Sequence, residues 1–262
     1  ILGLENTYIE NRNGAYLRIF VENFIGTELA EGRYYLKLLV SDNIPLVYGG
    51  PHSVALTASF VVDVTPPENA PRWLENTWYR ENTPTFRWSE ITDNGEKVWR
   101  YQLQISMDND FTGKLVYDNP WIYDNQVCDD VVSFRIPLEN SLPEYENYYR
   151  RVRGIDNAGN PGPWSEAKWF GIDITPPTLT LTPSSQTITA GETASITVSA
   201  GDTLSGIVLA QRKIDEGPWE NISISPGKSV SFVLSLLLAE GTHTIWVRVQ
   251  DNAGNSVENS VS

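Results

Sequence analysis

The chain has few of the residues that most often carry chemistry. Its 262 residues include one cysteine, one methionine and two histidines. With Cys128 alone, no intramolecular disulfide can form, and a single thiol in such a chain reads as a small buried hydrophobe. Thiol scarcity fits an exported protein built without disulfides. His52 and His243 lie far apart in the sequence, so neither a nucleophilic triad nor a zinc cluster can be assembled from them. Positive charge is short as well. There are 19 Lys and Arg against 33 Asp and Glu, a net charge of −14. Such a surface repels nucleic acid and anionic membranes, which excludes both as direct partners. No apolar run reaches the roughly 18 residues that a membrane-spanning helix needs. The chain opens without an initiator Met or a leader pattern, and reads as an internal or C-terminal piece of a longer precursor. Acids are abundant, but they offer no spacing that marks a glycosidase pair. The expectation is a protein that is not an enzyme.

Repetition is what the chain does have. Asn147 to Pro177 reads as a strand, a tight Asp156-Asn157-Ala158-Gly159-Asn160 turn, a second strand and a proline-locked exit. Gly241 to Ser262 repeats the strand and the turn, now Asp251-Asn252-Ala253-Gly254-Asn255. Gly32 to Asn43 repeats the strand, and Ser59 to Pro67 repeats the exit. Leu29-Ala30-Glu31-Gly32 recurs as Leu238-Ala239-Glu240-Gly241 at the equivalent point. Counting back in twos from Asp42, Asp156 and Asp251 places Val40, Leu38, Leu36 and Tyr34 on one face. The same count gives Val152, Arg150 and Tyr148 in the second copy, and Val249, Val247, Ile245 and His243 in the third. A register kept three times supports true internal repetition. The second copy departs at Arg150, where the others hold Leu36 and Ile245; a core-facing Arg needs a partner or an exit to solvent.

Short alternating runs between Gly and Pro punctuation predict an all-β chain of tandem antiparallel β-sandwiches. Residues 1–65 read as a partial Ig-like domain, with strand candidates at Tyr16–Val21, Arg33–Val40 and Val54–Val62. A seven-stranded sandwich takes about 100 residues. This unit is therefore reduced or continues upstream. Residues 66–175 form a second domain, with strands at Pro84–Trp88, Trp99–Ile105, Lys114–Tyr117 and Val131–Ile136. Leu142-Pro143 followed by Tyr148 has the spacing of a tyrosine corner. Residues 176–262 form a third, with strands at Thr178–Leu181, Ser195–Val198, Ile207–Ile214 and Ser231–Leu238, the run Ser231–Glu240 being the most ambiguous piece. Val62-Asp63-Val64-Thr65-Pro66-Pro67 and Ile172-Asp173-Ile174-Thr175-Pro176-Pro177 link the three. Each Pro fixes φ and keeps the preceding residue extended, so the chain should cross each boundary stiffly.

The middle segment resembles a fibronectin type III domain of the prokaryotic extracellular kind. The resemblance rests on Thr85-Phe86-Arg87-Trp88, Tyr101 to Ser106, Tyr148 to Arg153, Asp156 to Asn160 and Pro163-Trp164-Ser165. The third segment looks like a bacterial Ig-like repeat, through Asp202, Ser205-Gly206-Ile207, Ile214 to Trp219, and Gly241 to Asn255. The resemblance implies an extracellular, cell-surface location and a structural role: a spacer, stalk, filament or surface-layer segment of a multidomain adhesin-type protein. Partners would be neighbouring repeats, other copies of itself or cell-surface glycans. The alternative is an accessory carbohydrate-binding region of a secreted hydrolase. Trp88 and Trp164 fall at core positions of the family, while Trp73, Trp78, Trp99 and Trp121 are extra aromatics. Flat indole faces suit pyranose rings and protein partners alike, so these four are the candidate glycan or partner contacts.

The candidate metal ligands are Asp156, Asn157 and Asp173, near the second junction. Their oxygens are the hard ligands that calcium prefers, and the resemblance implies junctions stiffened by that ion. No Asp-x-Asp-x-Asp spacing is present, so a site would be assembled from separate loops. Asp and Asn also cap tight turns through their own backbone, which is the competing reading of the same residues.

Overall fold

The computed structural model describes residues 30–41, 53–74, 77–93, 96–98, 100–123, 130–183, 186–189 and 191–262. The Tyr16–Val21 strand, His52, Trp99 and Cys128 lie outside the described residues. The chain divides into two compact units, Ile1–Thr65 and Pro66–Ser262. The described residues are all-β apart from one turn of 3-10 helix at Leu138–Asn140.

In the first unit, β1 (Gly32–Ser41) pairs antiparallel with β2 (Ser53–Val62), in unbroken register from Gly32 opposite Val62 to Ser41 opposite Ser53. Tyr34 stacks on Phe60 with ring centroids 5.5 Å apart, and its hydroxyl donates to the Ala30 carbonyl at 2.8 Å. The exit is tied down twice. The Thr65 hydroxyl donates to Glu31 at 2.6 Å, and the Thr65 N–H donates to the Asp63 carboxylate at 3.1 Å.

The second unit holds two sandwiches. The first is built from β3 (Trp78–Tyr79), β4 (Thr85–Ser89), β5 (Thr92–Asp93), β6 (Glu96–Lys97), β7 (Arg100–Ser106), β8 (Tyr117–Tyr123), β9 (Val131–Arg135), β10 (Tyr145–Ile155) and β11 (Lys168–Ile172). Its larger sheet runs β3-β11-β10-β7-β8, and the pair β4-β9 forms a separate sheet. The core between them contains Phe86, Trp88, Tyr101, Leu103, Ile105 and Phe170, all fully buried. Along β10 the predicted alternation holds: Tyr148, Arg150 and Val152 point in, and Tyr149, Arg151 and Arg153 are only half-buried. The Tyr148 hydroxyl donates to the Pro143 carbonyl at 3.1 Å, which makes the tyrosine corner.

Arg150 finds its partners inside the core. Its guanidinium lies over the rings of Trp73 (4.5 Å), Phe86 (4.7 Å), Phe170 (5.5 Å) and Tyr79 (5.6 Å), and it donates to the Tyr79 hydroxyl. A buried cation is costly to desolvate. Four negatively polarised ring faces and one hydroxyl offset that cost. Trp164 is not in this core. It lies half-buried on the outer face, with Arg151 and Arg153 over its ring at 4.3 and 4.4 Å. Those arginines donate to Gln104 and Gln102, whose amides in turn donate to Asp118.

The second sandwich is built from β12 (Thr178–Thr182), β13 (Thr193–Gly201), β14 (Ile207–Ile214), β15 (Glu220–Ile222), β16 (Ser229–Leu237), β17 (Ile245–Asp251) and β18 (Ser256–Val261). One sheet runs β12-β13-β16, the other β15-β14-β17-β18. The ambiguous Ser231–Glu240 stretch is resolved as strand through Leu237. Val230, Leu234 and Leu236 are buried on one face, and β13 pairs with β16 residue for residue, with Ile196 opposite Leu234. Trp219 repeats the role of Trp164: Arg248 lies 4.4 Å over its ring and donates to Gln211.

Candidate metal centre

The two sandwiches of the second unit meet where β11 leaves the first. Asp173 follows β11, Asp202 follows β13, and Asp251 ends β17. Each carboxylate is placed by the turn it closes. The Asp202 carboxylate accepts from the N–H groups of Leu204 (3.1 Å) and Gly206 (2.6 Å). Asp251 accepts from Gly254 and Asn255 N–H at 2.7 and 2.9 Å, and from the Asn255 side-chain amide at 2.9 Å. Gly254 has φ +97, a left-handed conformation that side chains rarely tolerate and that this tight return requires. Asp173 accepts from Thr175 N–H within the linker and from Ser205 N–H across the junction, at 3.2 and 3.0 Å.

Further contacts lock the junction. The Asn255 amide also donates to the Asp173 carbonyl at 2.9 Å, and Lys228 pairs with Glu146 at 2.9 Å. Glu144 accepts from the Ile174 N–H and the Thr175 hydroxyl, at 2.7 and 2.8 Å. The first unit ties Thr65 in the same way, through Asp63 and Glu31.

The three aspartates are buried, and each offers a carboxylate oxygen within 4.8 Å of the others. Like charges this close repel, and loss of water strengthens the repulsion. Burial pushes the Asp251 carboxyl above the usual range, and the Asp173 charge adds to the shift; hydrogen bonds from Asn255 and Gly254 hold it down. Oxygens from three separate loops, each fixed by backbone donors, make a preorganised anionic pocket suited to a hard cation.

Of the residues expected from sequence to share a cation, Asp173 lies in this group. Asp156 is buried and closes its own turn, accepting from Gly159 N–H (2.7 Å), Asn160 N–H (2.8 Å) and the Asn160 amide (2.9 Å). Asn157 is exposed on that turn. Asp251 was legible as the register mate of Asp156. Asp202 was legible as part of the Ig-like motif but not as a ligand; the packing of β13 against the rest brings it to the junction.

The aromatic candidates are dispersed. Trp73 packs edge-on against Phe86 and Trp88, and its indole N–H donates to the Glu166 carbonyl at 3.2 Å. Trp78 packs edge-on against Trp169 at 5.5 Å and covers Gly171, where an added Cβ would lie 2.3 Å from its ring. Trp121 is exposed on β8, and the Arg100 guanidinium lies 4.0 Å over its ring. Tyr123, two residues along the same edge strand, is also exposed.

His243 occupies the corner position that Tyr34 and Tyr148 hold elsewhere. Its Nδ1 lies 2.7 Å from the Asp215 carboxylate and its Nε2 3.1 Å from the Ala239 carbonyl. The latter contact reaches back four residues, as the Tyr34 hydroxyl does to Ala30. The Asp215 bond, and secondarily the Ala239 carbonyl, hold the imidazole above its ordinary value.

Residues 75–175 match the family described as Rha78A-like, N-terminal immunoglobulin domain. That covers less than half of the chain and coincides with the first sandwich of the second unit. No curated protein matches. Among solved structures, the chicken CNTN1 FN1-FN3 domains share 13% identity, cover 80% of this chain and 72% of that one, and give a TM-score of 0.38. A 1.5-MDa bacterial ice-binding adhesin shares 15% identity over 90% of this chain and 86% of that one, with a TM-score of 0.29. A Ca2+-stabilized adhesin of an Antarctic bacterium shares 19% identity over 87% of this chain and 55% of that one, also with a TM-score of 0.29. At such identities and scores these likenesses support no functional conclusion. The fold is that of tandem Ig-like and fibronectin-like sandwiches, as the sheets themselves show.

Proposed function

We propose that this chain is a structural spacer segment of a multidomain, extracellular, cell-surface protein of the adhesin type, divided into modules at 1–65, 66–175 and 176–262. The observation that carries the reading is the junction at Asp173. A chain that merely tethered two modules would not bury three carboxylates there, nor bond one module to the other through Ser205 N–H to the Asp173 carboxylate, the Asn255 amide to the Asp173 carbonyl, and Lys228 to Glu146. Interlocking of this kind transmits force and fixes spacing, which is what a spacer needs. The match of residues 75–175 to an immunoglobulin-domain family supports the module type.

The finer part of the proposal is calcium. One ion held by Asp173, Asp202 and Asp251 would relieve their mutual repulsion and join both sandwiches. The set read from the sequence, Asp156, Asn157 and Asp173, is the rival placement. Calorimetric titration of the EDTA-treated chain with calcium tests the ion, and the same titration of Asp202→Asn separates the two placements. Binding lost in Asp202→Asn supports the buried triad; binding kept there and lost in Asp156→Asn supports the rival. Absence of binding in the parent chain removes calcium and leaves the spacer reading to the junction contacts alone.

A second reading keeps one specific observation in its favour. Trp121 and Tyr123 are exposed side by side on the edge strand β8, as a glycan or partner contact would require. A panel of soluble polysaccharides, followed by tryptophan fluorescence with Trp121→Ala as control, tests the accessory carbohydrate-binding role.

A further inference from the structure

We infer that the free edge of β16 is a self-association surface, on which the β16 strand of a second copy of this chain pairs antiparallel about Val233. The inference goes beyond the spacer reading and does not depend on calcium.

An exposed sheet edge carries unpaired N–H and C=O groups, and stable proteins blunt it with short strands, charge, proline or bulges. Most edges of unit 66–262 are blunted in this way. In the first sandwich, β9 is five residues long, follows Asp130 and ends on Arg135, with Pro137 beyond. β8 contains Pro120. In the second sandwich, β12 is five residues long between Pro177 and Pro183, β15 is three, and β18 carries Glu258. β16 has none of these devices. It is nine residues, SVSFVLSLL, pairs among the described residues with β13 alone, and does so without a register shift. The stretch from Ser229 to Ala239 contains no charge and no proline, on a chain of net charge −14.

The strand is also complementary to itself. Reversed about Val233, Ser231 meets Ser235, Phe232 meets Leu234, and Val230 meets Leu236. The outward Ser and Val residues therefore meet small or apolar mates, and the inward apolar residues meet apolar mates. Val233 and Leu237 are 57% and 72% exposed, so apolar surface is available on the outer face. That face continues uncharged across the sheet through Ser195, Thr197 and Ser199 of β13 and Thr178 and Thr180 of β12. A joining sheet thus buries no charge. The first charges beyond the strand are Lys228 at one end and Glu240 at the other. Antiparallel pairing brings these unlike charges toward each other, and parallel pairing would bring like charges together. Overlap of nine residues supplies about eight to ten backbone hydrogen bonds, two for every second residue. A symmetric contact of this kind closes at a dimer, and the self-complementarity favours a second copy over an unrelated strand.

The test uses the whole chain in EDTA. Sedimentation velocity over a concentration series reads the dimer, and two variants place it. Val233 is exposed, so Val233→Lys leaves the fold intact while setting two cations face to face at the dyad; it is expected to weaken dimerisation at least tenfold. In Val233→Cys, residue 233 lies opposite its own copy at a Cα separation of about 4.5–5.5 Å, within the span of a disulfide. It is expected to cross-link far faster than Ser195→Cys, which sits on the central strand, both in a Cys128→Ser background. A chain that stays monomeric throughout, with both cysteine variants cross-linking equally slowly, overturns the inference. So does a dimer that Val233→Lys leaves unchanged.

Discussion

Two turns of identical sequence, Asp156–Asn160 and Asp251–Asn255, fold in the same way and meet different surroundings. In each, the aspartate accepts from the Gly and Asn N–H groups and from the Asn amide, and the glycine is left-handed, at φ +101 and +97. The second has the Asp173 and Asp202 carboxylates beside it, and its Asn255 reaches across to the Asp173 carbonyl; the first has the Asp93 carboxylate within 4.8 Å. The local sequence specifies the turn; packing specifies which carboxylates come to lie beside it, Asp93 at the first and Asp173 and Asp202 at the second. The same contrast runs along the preceding strands, where Arg150 and Ile245 hold equivalent places and Tyr148 and His243 hold equivalent corners.

Exchanging core chemistry between the two copies gives the largest expected effect. Ile245 is buried among Leu, Ile and Val side chains, with no ring cage of the kind around Arg150. Ile245→Arg should destabilise the second sandwich by about 3–5 kcal/mol, the cost of an uncompensated buried charge. Arg150→Met, which fills the cage without a charge, should shift stability by less than about 2 kcal/mol in either direction. Chemical denaturation of both variants checks the asymmetry. A comparable loss in each would show that the rings do more for Arg150 than offset its desolvation, and that the caged cation is itself a main source of stability.

Calcium sharpens the difference between the turns. If the junction triad holds the ion, saturating calcium at about 100 times Kd should add about 2.7 kcal/mol. Asp202→Asn should abolish the rise in Tm and Asp156→Asn should not. Melting the three proteins in millimolar calcium and in EDTA separates them, and the opposite pattern moves the site to the Asp156 turn.

The corners predict smaller changes. Tyr148→Phe removes the bond to the Pro143 carbonyl and should cost about 0.5–1.5 kcal/mol, the net worth of one such bond. At the third corner the effect depends on pH. The folded state holds the His243 imidazole above its ordinary value, so folding binds its proton more tightly. That contribution is complete below the unfolded pKa of about 6.5 and is lost as pH rises through the higher folded value. His243→Tyr keeps the reach to Ala239 and removes the titration. Its Tm should therefore vary less than that of the parent between pH 6 and 8. Parallel pH profiles of the two proteins would overturn this reading of the corner.

Much of the architecture was legible in residue order because it rests on short-range rules. Alternation along Tyr148 to Ile155 and along Ile245 to Asp251, turn chemistry at Asp-Asn-Ala-Gly-Asn, and proline at the exits each act over a few residues. The strand at Ser231–Leu238 was legible as well, although its run of apolar residues made it the most ambiguous piece; pairing with β13 fixes it as Ser229–Leu237. The outer-face position of Trp164 likewise depends on Arg151, Arg153 and Gln104, which β10 and β7 bring beneath it from elsewhere in the chain. By itself the sequence determined an all-β repeat, the tyrosine corner at Tyr148 with its register mates Tyr34 and His243, and an acidic composition. Only the tertiary structure decided that Asp202 and Asp251, rather than the nearer Asp156, share a pocket with Asp173, and that β16 is left as a long uncharged edge. Ligand sets and sheet edges are properties of which strands end up adjacent. Adjacency between residues 30 to 80 positions apart is set by how two sheets close over a core, which no local spacing encodes.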